Sequence, residues 1–227
     1  MKKYAIFDLD DTLLDFTRGE TEGVTAIFNQ YGVTDVAAAM TTYLTINHDI
    51  WHRIEQGAER GPLLDTRFAR TFATLGMQVD GVALEAKYKG MLNHNYYTLP
   101  GATAFLTGLA QAGVTLIAGT NGTKSVQESR LAGSGITRFF DDVFISEDVG
   151  YDKPDSRFFA PIFTAYPTLT PSNTLMIGDS LRSDIQGATN AGLANVWFNP
   201  HHTPNSAALQ PTYEVDSYAA LTKLVLA

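Results

Sequence analysis

The chain has 227 residues, 44% of them hydrophobic and 18% charged, which suits one large folded domain or a domain with a smaller companion and excludes a disordered chain. Its formal net charge of −8 argues against non-specific binding to a nucleic-acid backbone or an anionic membrane, though not against a small phosphorylated ligand held at a local positive site. It contains no cysteine, so disulfides, thiolate catalysis and cysteine-based metal sites are excluded.

The first predicted element is a buried strand, Tyr4-Ala5-Ile6-Phe7, which stops abruptly at the carboxylates of Asp8-Leu9-Asp10-Asp11-Thr12. Carboxylates so close repel one another, and the cluster needs a divalent cation, a lysine or a shared proton nearby. Lys2 and Lys3 resemble the start of a signal peptide, but Asp8 interrupts the apolar run too soon for one. No apolar stretch is long enough to span a bilayer, and a soluble cytoplasmic protein is expected.

Residues 16–97 carry helical periodicity only. Thr17 with Glu20 reads as a capping box before Val24, Ile27, Phe28 and Tyr31, and Gly32 stops that helix. A second face runs from Val36 through Tyr43, Ile50 and Ile54 to Gly57. A third helix carries Leu64, Phe68, Phe72 and Leu75 and stops at Gly76. A fourth, capped by Asp80, carries Leu84, Tyr88 and Leu92.

From residue 98 strands and helices alternate. Strands are predicted at 114–118, 143–146, 174–177 and 194–198, with a weak one at 213–215 and a terminal helix through Leu221 and Leu224. The helix after Pro154, capped by Asp155, contains Pro161, which should kink or shorten it. A polar loop covers 199–211. This alternation predicts an α/β fold: a Rossmann-like, doubly wound parallel sheet formed by residues 1–15 and 98–227, with an all-helical cap, 16–97, inserted after the first strand. Ligands of such sheets bind beyond the carboxyl ends of the strands, so the insert is expected to sit as a lid over the acidic cluster.

The same carboxyl edge should receive Thr120-Asn121-Gly122, Lys153, and Asp179 with Asp184. Each alone has an ordinary explanation: a turn, a surface lysine, a helix-terminal charge. Their joint arrival at strand ends on one edge points to phosphoryl transfer. Asp8 and Asp179 can hold a Mg²⁺ ion, a hard cation that prefers oxygen ligands. Asp8 would attack phosphorus and form an aspartyl-phosphate, while Asp10 gives a proton to the departing oxygen and later takes one from water. The Thr120 hydroxyl and the N–H groups around Asn121 and Gly122 would hold phosphoryl oxygens, and Lys153 would stabilise the transferring group.

In these four motifs, Asp8-Leu9-Asp10-Asp11-Thr12, Thr120-Asn121, Lys153-Pro154 and Gly178-Asp179-Ser180 with Asp184, the sequence resembles the haloacid dehalogenase-like (HAD) hydrolases. The resemblance implies a Rossmann-like core with a helical cap, and Mg²⁺ bound by the Asp8 carboxylate, the Asp10 main-chain carbonyl and Asp179, with Asp184 acting on the metal's waters or on Lys153. It also makes Asp10 the discriminating residue, because dehalogenase members lack a carboxylate there. A phosphatase is therefore implied, with a sugar phosphomutase or a phosphatase of another small metabolite as alternatives. Asp11 stands where the family often has Gly, and a capping or solvated role is expected of it.

The layout of the second and third motifs resembles the pyrimidine 5′-nucleotidase subgroup, which implies a nucleoside 5′-monophosphate as the small-molecule partner. Phe16, Trp51 and Tyr96 could stack on a base, but Trp51 falls on an apolar helical face that favours a core role. His48 and His52 lie one helical turn apart without a third ligand in view, and no metal site is expected there. A signalling receiver module shares much of the acidic cluster, yet needs neither Asp10 nor the helical insert. Oligomeric state is not legible in the sequence.

Overall fold

The opening apolar run forms β1 (Tyr4–Phe7), and each of its residues is buried in a computed structural model that describes residues 1–205 and 208–227. The chain divides into two units, Met1–Asp15 with Tyr96–Ala227, and Phe16–Asn95.

The second unit is helical: α1 (Phe16–Gln30), α2 (Val36–Glu55), α3 (Arg60–Leu64), α4 (Arg67–Thr74) and α5 (Gly81–Leu92). Asp35 and Asp80 cap α2 and α5, each accepting a hydrogen bond from the N–H three residues on at 3.0 Å. Apolar side chains at helical spacing meet inside, as where Phe28 of α1 packs edge-on against Phe72 of α4.

Two details of this unit differ from expectation. The helix predicted through Leu64 and Phe68 is broken into α3 and α4, and at the break the Thr66 hydroxyl donates to the Leu63 carbonyl at 2.7 Å. The helix α1 begins at Phe16, so Thr17 lies within it, and the Glu20 carboxylate is buried and accepts from Asn47 Nδ2 at 2.9 Å. Asn47 in turn accepts from Arg67 Nη1 at 3.1 Å, and Arg67 donates through Nε and Nη2 to both oxygens of Glu85 at 2.6 and 2.7 Å. This buried chain ties α1, α2, α4 and α5 together, with Arg67 and Glu85 as its ion pair and Glu20 hydrogen-bonded to the Asn47 amide.

The remaining unit alternates as predicted: α6 (Ala102–Gln111), β2 (Thr115–Thr120), α7 (Lys124–Ser134), β3 (Asp142–Ile145), α8 (Ser146–Val149), α9 (Ala160–Ala165), β4 (Thr174–Gly178), α10 (Gln186–Asn190), β5 (Asn195–Phe198), β6 (Tyr213–Val215) and α11 (Tyr218–Leu226). Pro161 does shorten its helix. The segment opens as a 3-10 turn at Ser156–Phe159, and Pro161 falls in the first turn of α9, where a missing N–H leaves no bond unmade. The polar loop predicted at 199–211 includes Ser206 and Ala207, which lie outside the described residues. Among the described residues no helix is long and apolar enough to cross a membrane.

Among the described residues the sheet has six strands in the order β3-β2-β1-β4-β5-β6, and every pairing is parallel. Ala5 and Phe7 face one layer with Leu106 and Leu109 of α6 and Leu221 of α11. Tyr4 and Ile6 face the other, with Phe158, Phe159 and Ile162. Both faces are thus covered, which is why the strands read as continuous apolar runs rather than alternating ones. The order reverses beside β1, and the register pairs Phe7 with Ala118 on one side and Ile177 on the other. The residues that follow, Asp8, Gly119 and Gly178, therefore leave the sheet side by side at the edge where such folds bind ligands.

Candidate active site

Asp8 extends β1 by one more ladder contact, its N–H donating to Ile177 O at 2.9 Å, and the chain then turns sharply. The N–H groups of Leu13 and Leu14 return to Leu9 O at 2.9 and 2.8 Å, and that of Asp11 donates to Leu14 O at 2.7 Å. Asp11 adopts φ +52°, a left-handed conformation that aspartate tolerates better than most residues with a side chain. Glycine would adopt this conformation without strain. From α11, the Tyr218 hydroxyl donates to Thr12 O at 2.7 Å and fixes the far side of the turn.

Lys153 is fully buried, and its ammonium donates to Asp8 Oδ1 at 2.8 Å, Asp184 Oδ1 at 2.6 Å and Gly119 O at 2.7 Å. All three donors of the ammonium are used, so its position is fully determined. Its main chain is clamped as well, since the Asn121 side chain donates to Lys153 O and accepts from Lys153 N, both at 2.8 Å. The second oxygen of Asp184 accepts from Ser180 N at 3.0 Å, and a Cβ on Gly178 would lie 2.1 Å from that oxygen, so only glycine fits there. Asp179 is positioned by Trp197 of β5, whose indole N–H donates to its carbonyl at 2.7 Å.

Carboxylate oxygens of Asp8, Asp179 and Asp184 all lie within 4.8 Å of one another. Burial pushes the Asp8 carboxyl up to about 7 even though Lys153 opposes the shift, and Asp184 and Asp10 add repulsion. Asp179 is raised well above the ordinary range by burial and then by Asp184 and Asp8. Burial alone would lower Lys153, but Asp184 and Asp8 outweigh it and hold the ammonium firmly charged. One lysine facing three carboxylates leaves a surplus of negative charge on hard oxygen donors. The donor set therefore fits a divalent cation such as Mg²⁺.

Asp10 points elsewhere. Arg130 of α7, fully buried, is paired with Asp10 Oδ1, and Gln127 Nε2 donates to Asp10 Oδ2 at 3.0 Å and to Thr120 Oγ1 at 2.9 Å. Gln127 Oε1 accepts from Arg130 Nη1 at 2.9 Å, which closes the network. Sequence reasoning did not single out Gln127 or Arg130. Their spacing of three on one helix face was the available signal, but it looks the same on a solvated helix.

Of the other candidates, Thr120 is buried at the end of β2, and Gly122 N donates to Ser146 Oγ at 3.2 Å. Phe16 is the half-buried first residue of α1. Trp51 packs beside the cluster of Ile46, Ile50, Ile54 and Leu64, with Arg60 over its ring, in keeping with a core role. Tyr96 is exposed, and its ring lies so close to Gly133 of α7 that a Cβ there would come within 2.2 Å of it. His48 and His52 are exposed, and the His52 ring meets Gln56 at 3.1 Å.

A parallel α/β sheet with buried carboxylates and a lysine at the carboxyl ends of its central strands is common to phosphohydrolases and receiver modules. The further carboxylate of Asp10, linked to Thr120 through Gln127, is the part that a receiver does not need. A family model described as haloacid dehalogenase-like hydrolase matches residues 2–192, and the chain belongs to that family. It is 41% identical over 220 residues to the pyrimidine 5′-nucleotidase PynA of Streptococcus pneumoniae, covering 96% of this chain and 93% of that one. It is 31% identical to the pyrimidine 5′-nucleotidase YjjG of Escherichia coli, covering 98% and 97%. Among solved structures, that of the HAD-hydrolase YfnB of Bacillus subtilis bound to magnesium superposes with a TM-score of 0.90 at 35% identity, covering 99% of this chain and 98% of that one.

Proposed function

We propose that the protein is a Mg²⁺-dependent phosphomonoesterase that works through an aspartyl-phosphate on Asp8, with pyrimidine nucleoside 5′-monophosphates as its substrates. The observation that carries the chemistry is the Lys153 ammonium held between Asp8 and Asp184, at 2.8 and 2.6 Å, beside a third carboxylate. The substrate class is supported by the two pyrimidine 5′-nucleotidases that match nearly the whole chain.

Asp8, Asp179 and the main chain at Asp10 would hold Mg²⁺, with Asp184 beside them. The ion would supply charge neutralisation, allowing an anionic phosphate to approach an anionic nucleophile. An Asp8 oxygen bonds to phosphorus as the ester oxygen departs, and Asp10 gives that oxygen a proton. Water then attacks phosphorus, Asp10 takes its proton, and the Asp8 carboxylate is released with inorganic phosphate. Lys153 keeps Asp8 oriented and offers charge to the phosphoryl group. The Thr120 hydroxyl already accepts from Gln127, which leaves its own hydrogen free to go to a phosphoryl oxygen. Asn121 supports this phosphate side by clamping the Lys153 loop, whereas the Gly122 N–H, expected to hold a phosphoryl oxygen, is already directed to Ser146 Oγ.

The helical unit would act as the cap, with Phe16 at its start contributing to recognition of the nucleoside. A phosphate-release screen over nucleoside monophosphates and sugar phosphates tests the reading. Highest kcat/KM on pyrimidine nucleotides, lost on chelation and restored by Mg²⁺, is expected. Preference for a sugar phosphate would overturn the substrate class, and chelator-resistant turnover would overturn the metal's role.

A further inference from the structure

We propose that Gln127 and Arg130 are positioning residues that hold Asp10 in line with the phosphate-binding hydroxyl of Thr120, an inference that rests on the acid and base role given to Asp10 above. The two side chains lie three residues apart on α7, so they share a face of the helix, and both are buried. Arg130 takes one oxygen of Asp10 and Gln127 the other, so the carboxylate can neither rotate nor retreat. The same Gln127 nitrogen reaches Thr120 Oγ1 at 2.9 Å, which makes one amide the link between the proton donor and the hydroxyl that receives phosphate. The amide cannot be reversed, because its oxygen is occupied by Arg130 at 2.9 Å.

Burial adds to the geometry. The Asp10 side chain keeps 27% of its surface open while that of Arg130 has none, so the carboxylate is gripped from behind and presented forward. The neighbouring glycine makes room for this arrangement: a Cβ on Gly122 would sit 2.9 Å from Gln127 Cγ and 3.1 Å from its Nε2. A buried arginine pair is weak support for stability, since well-packed apolar residues serve as well. It is effective at fixing direction, because the planar guanidinium has preset donor positions.

Positioning of a proton donor shows itself in leaving-group dependence. Phenol departs poorly without a proton, whereas 4-nitrophenol departs well without one. Wild type, Gln127→Met, Asp10→Asn and the double variant should be assayed with Mg²⁺ on phenyl phosphate and 4-nitrophenyl phosphate. Arg130 is fully buried and its truncation endangers the fold, so Gln127→Met carries the test and Arg130→Lys repeats it with the charge retained.

Gln127→Met is expected to lower kcat/KM, which reports the steps up to release of the phenol, about tenfold more on phenyl phosphate than on 4-nitrophenyl phosphate, as expected when a reacting group is slightly misplaced. That excess should vanish in the Asp10→Asn background. A loss equal on both esters, or an excess that persists without Asp10, would overturn the proposal. If Asp10→Asn alone shows no leaving-group bias, the acid role itself fails and the proposal falls with it.

Discussion

Each unit of this protein buries an ionic cluster, and the two are built on opposite principles. In the helical unit Arg67 meets Glu85 with both prongs of its guanidinium, and Asn47 completes the link to Glu20. Its members come from four helices of one unit and are paired side chain to side chain. At the sheet edge, by contrast, Asp8, Asp179 and Asp184 crowd together with Lys153 as the cation among them. Their charge is left over, and burial drives Asp8 and Asp179 above the ordinary carboxylate range. In the helical cluster the one cation is matched bidentately by Glu85 and the second carboxylate, Glu20, is held by the Asn47 amide, which locks a structure. At the sheet edge three carboxylates share one lysine, which suits it to take up a cation and a phosphate.

Substitutions can break this contrast from either side. The largest expected effect is on activity: Asp8→Asn should lower kcat by at least about 10⁴-fold, as removal of a nucleophile does, while the melting temperature stays within a few degrees of wild type. Normal turnover in that variant would remove Asp8 from the chemistry. Next comes Arg67→Met, which leaves Glu85 charged and buried and should cost about 3–5 kcal/mol in denaturant unfolding. Adding Glu85→Leu should recover much of that loss, with kcat close to wild type in both variants. If Arg67→Met spared stability but abolished turnover, the helical cluster would belong to the chemistry and the contrast would be wrong.

Much of the sheet could be read in advance, because strands buried on both faces are unbroken apolar runs and each ends on a polar or glycine-rich turn. Asp8, Lys153, Asp179 and Asp184 were legible for the same reason, since strand ends on one edge must meet. What escaped notice has a common cause. Gln127 and Arg130 are polar residues on a helix, and nothing in periodicity tells a polar face turned to solvent from one turned toward a carboxylate inside the fold. Glu20 likewise reads as a helix cap from its spacing to Thr17, and nothing in that spacing shows that its carboxylate is buried and accepts from Asn47. The break between α3 and α4 turns on one hydroxyl bond at Thr66, too local for a hydrophobic pattern to register.

The most direct test of the central claim is chemical trapping. During turnover with Mg²⁺ the enzyme is quenched in acid and reduced with borohydride, which converts an aspartyl-phosphate to homoserine, and the peptide carrying Asp8 is sequenced by mass spectrometry. Homoserine at position 8, more abundant in Asp10→Asn if the second half-reaction loses its base, is the predicted result. Turnover without modification, or homoserine at another aspartate, would contradict the assignment of Asp8 as nucleophile.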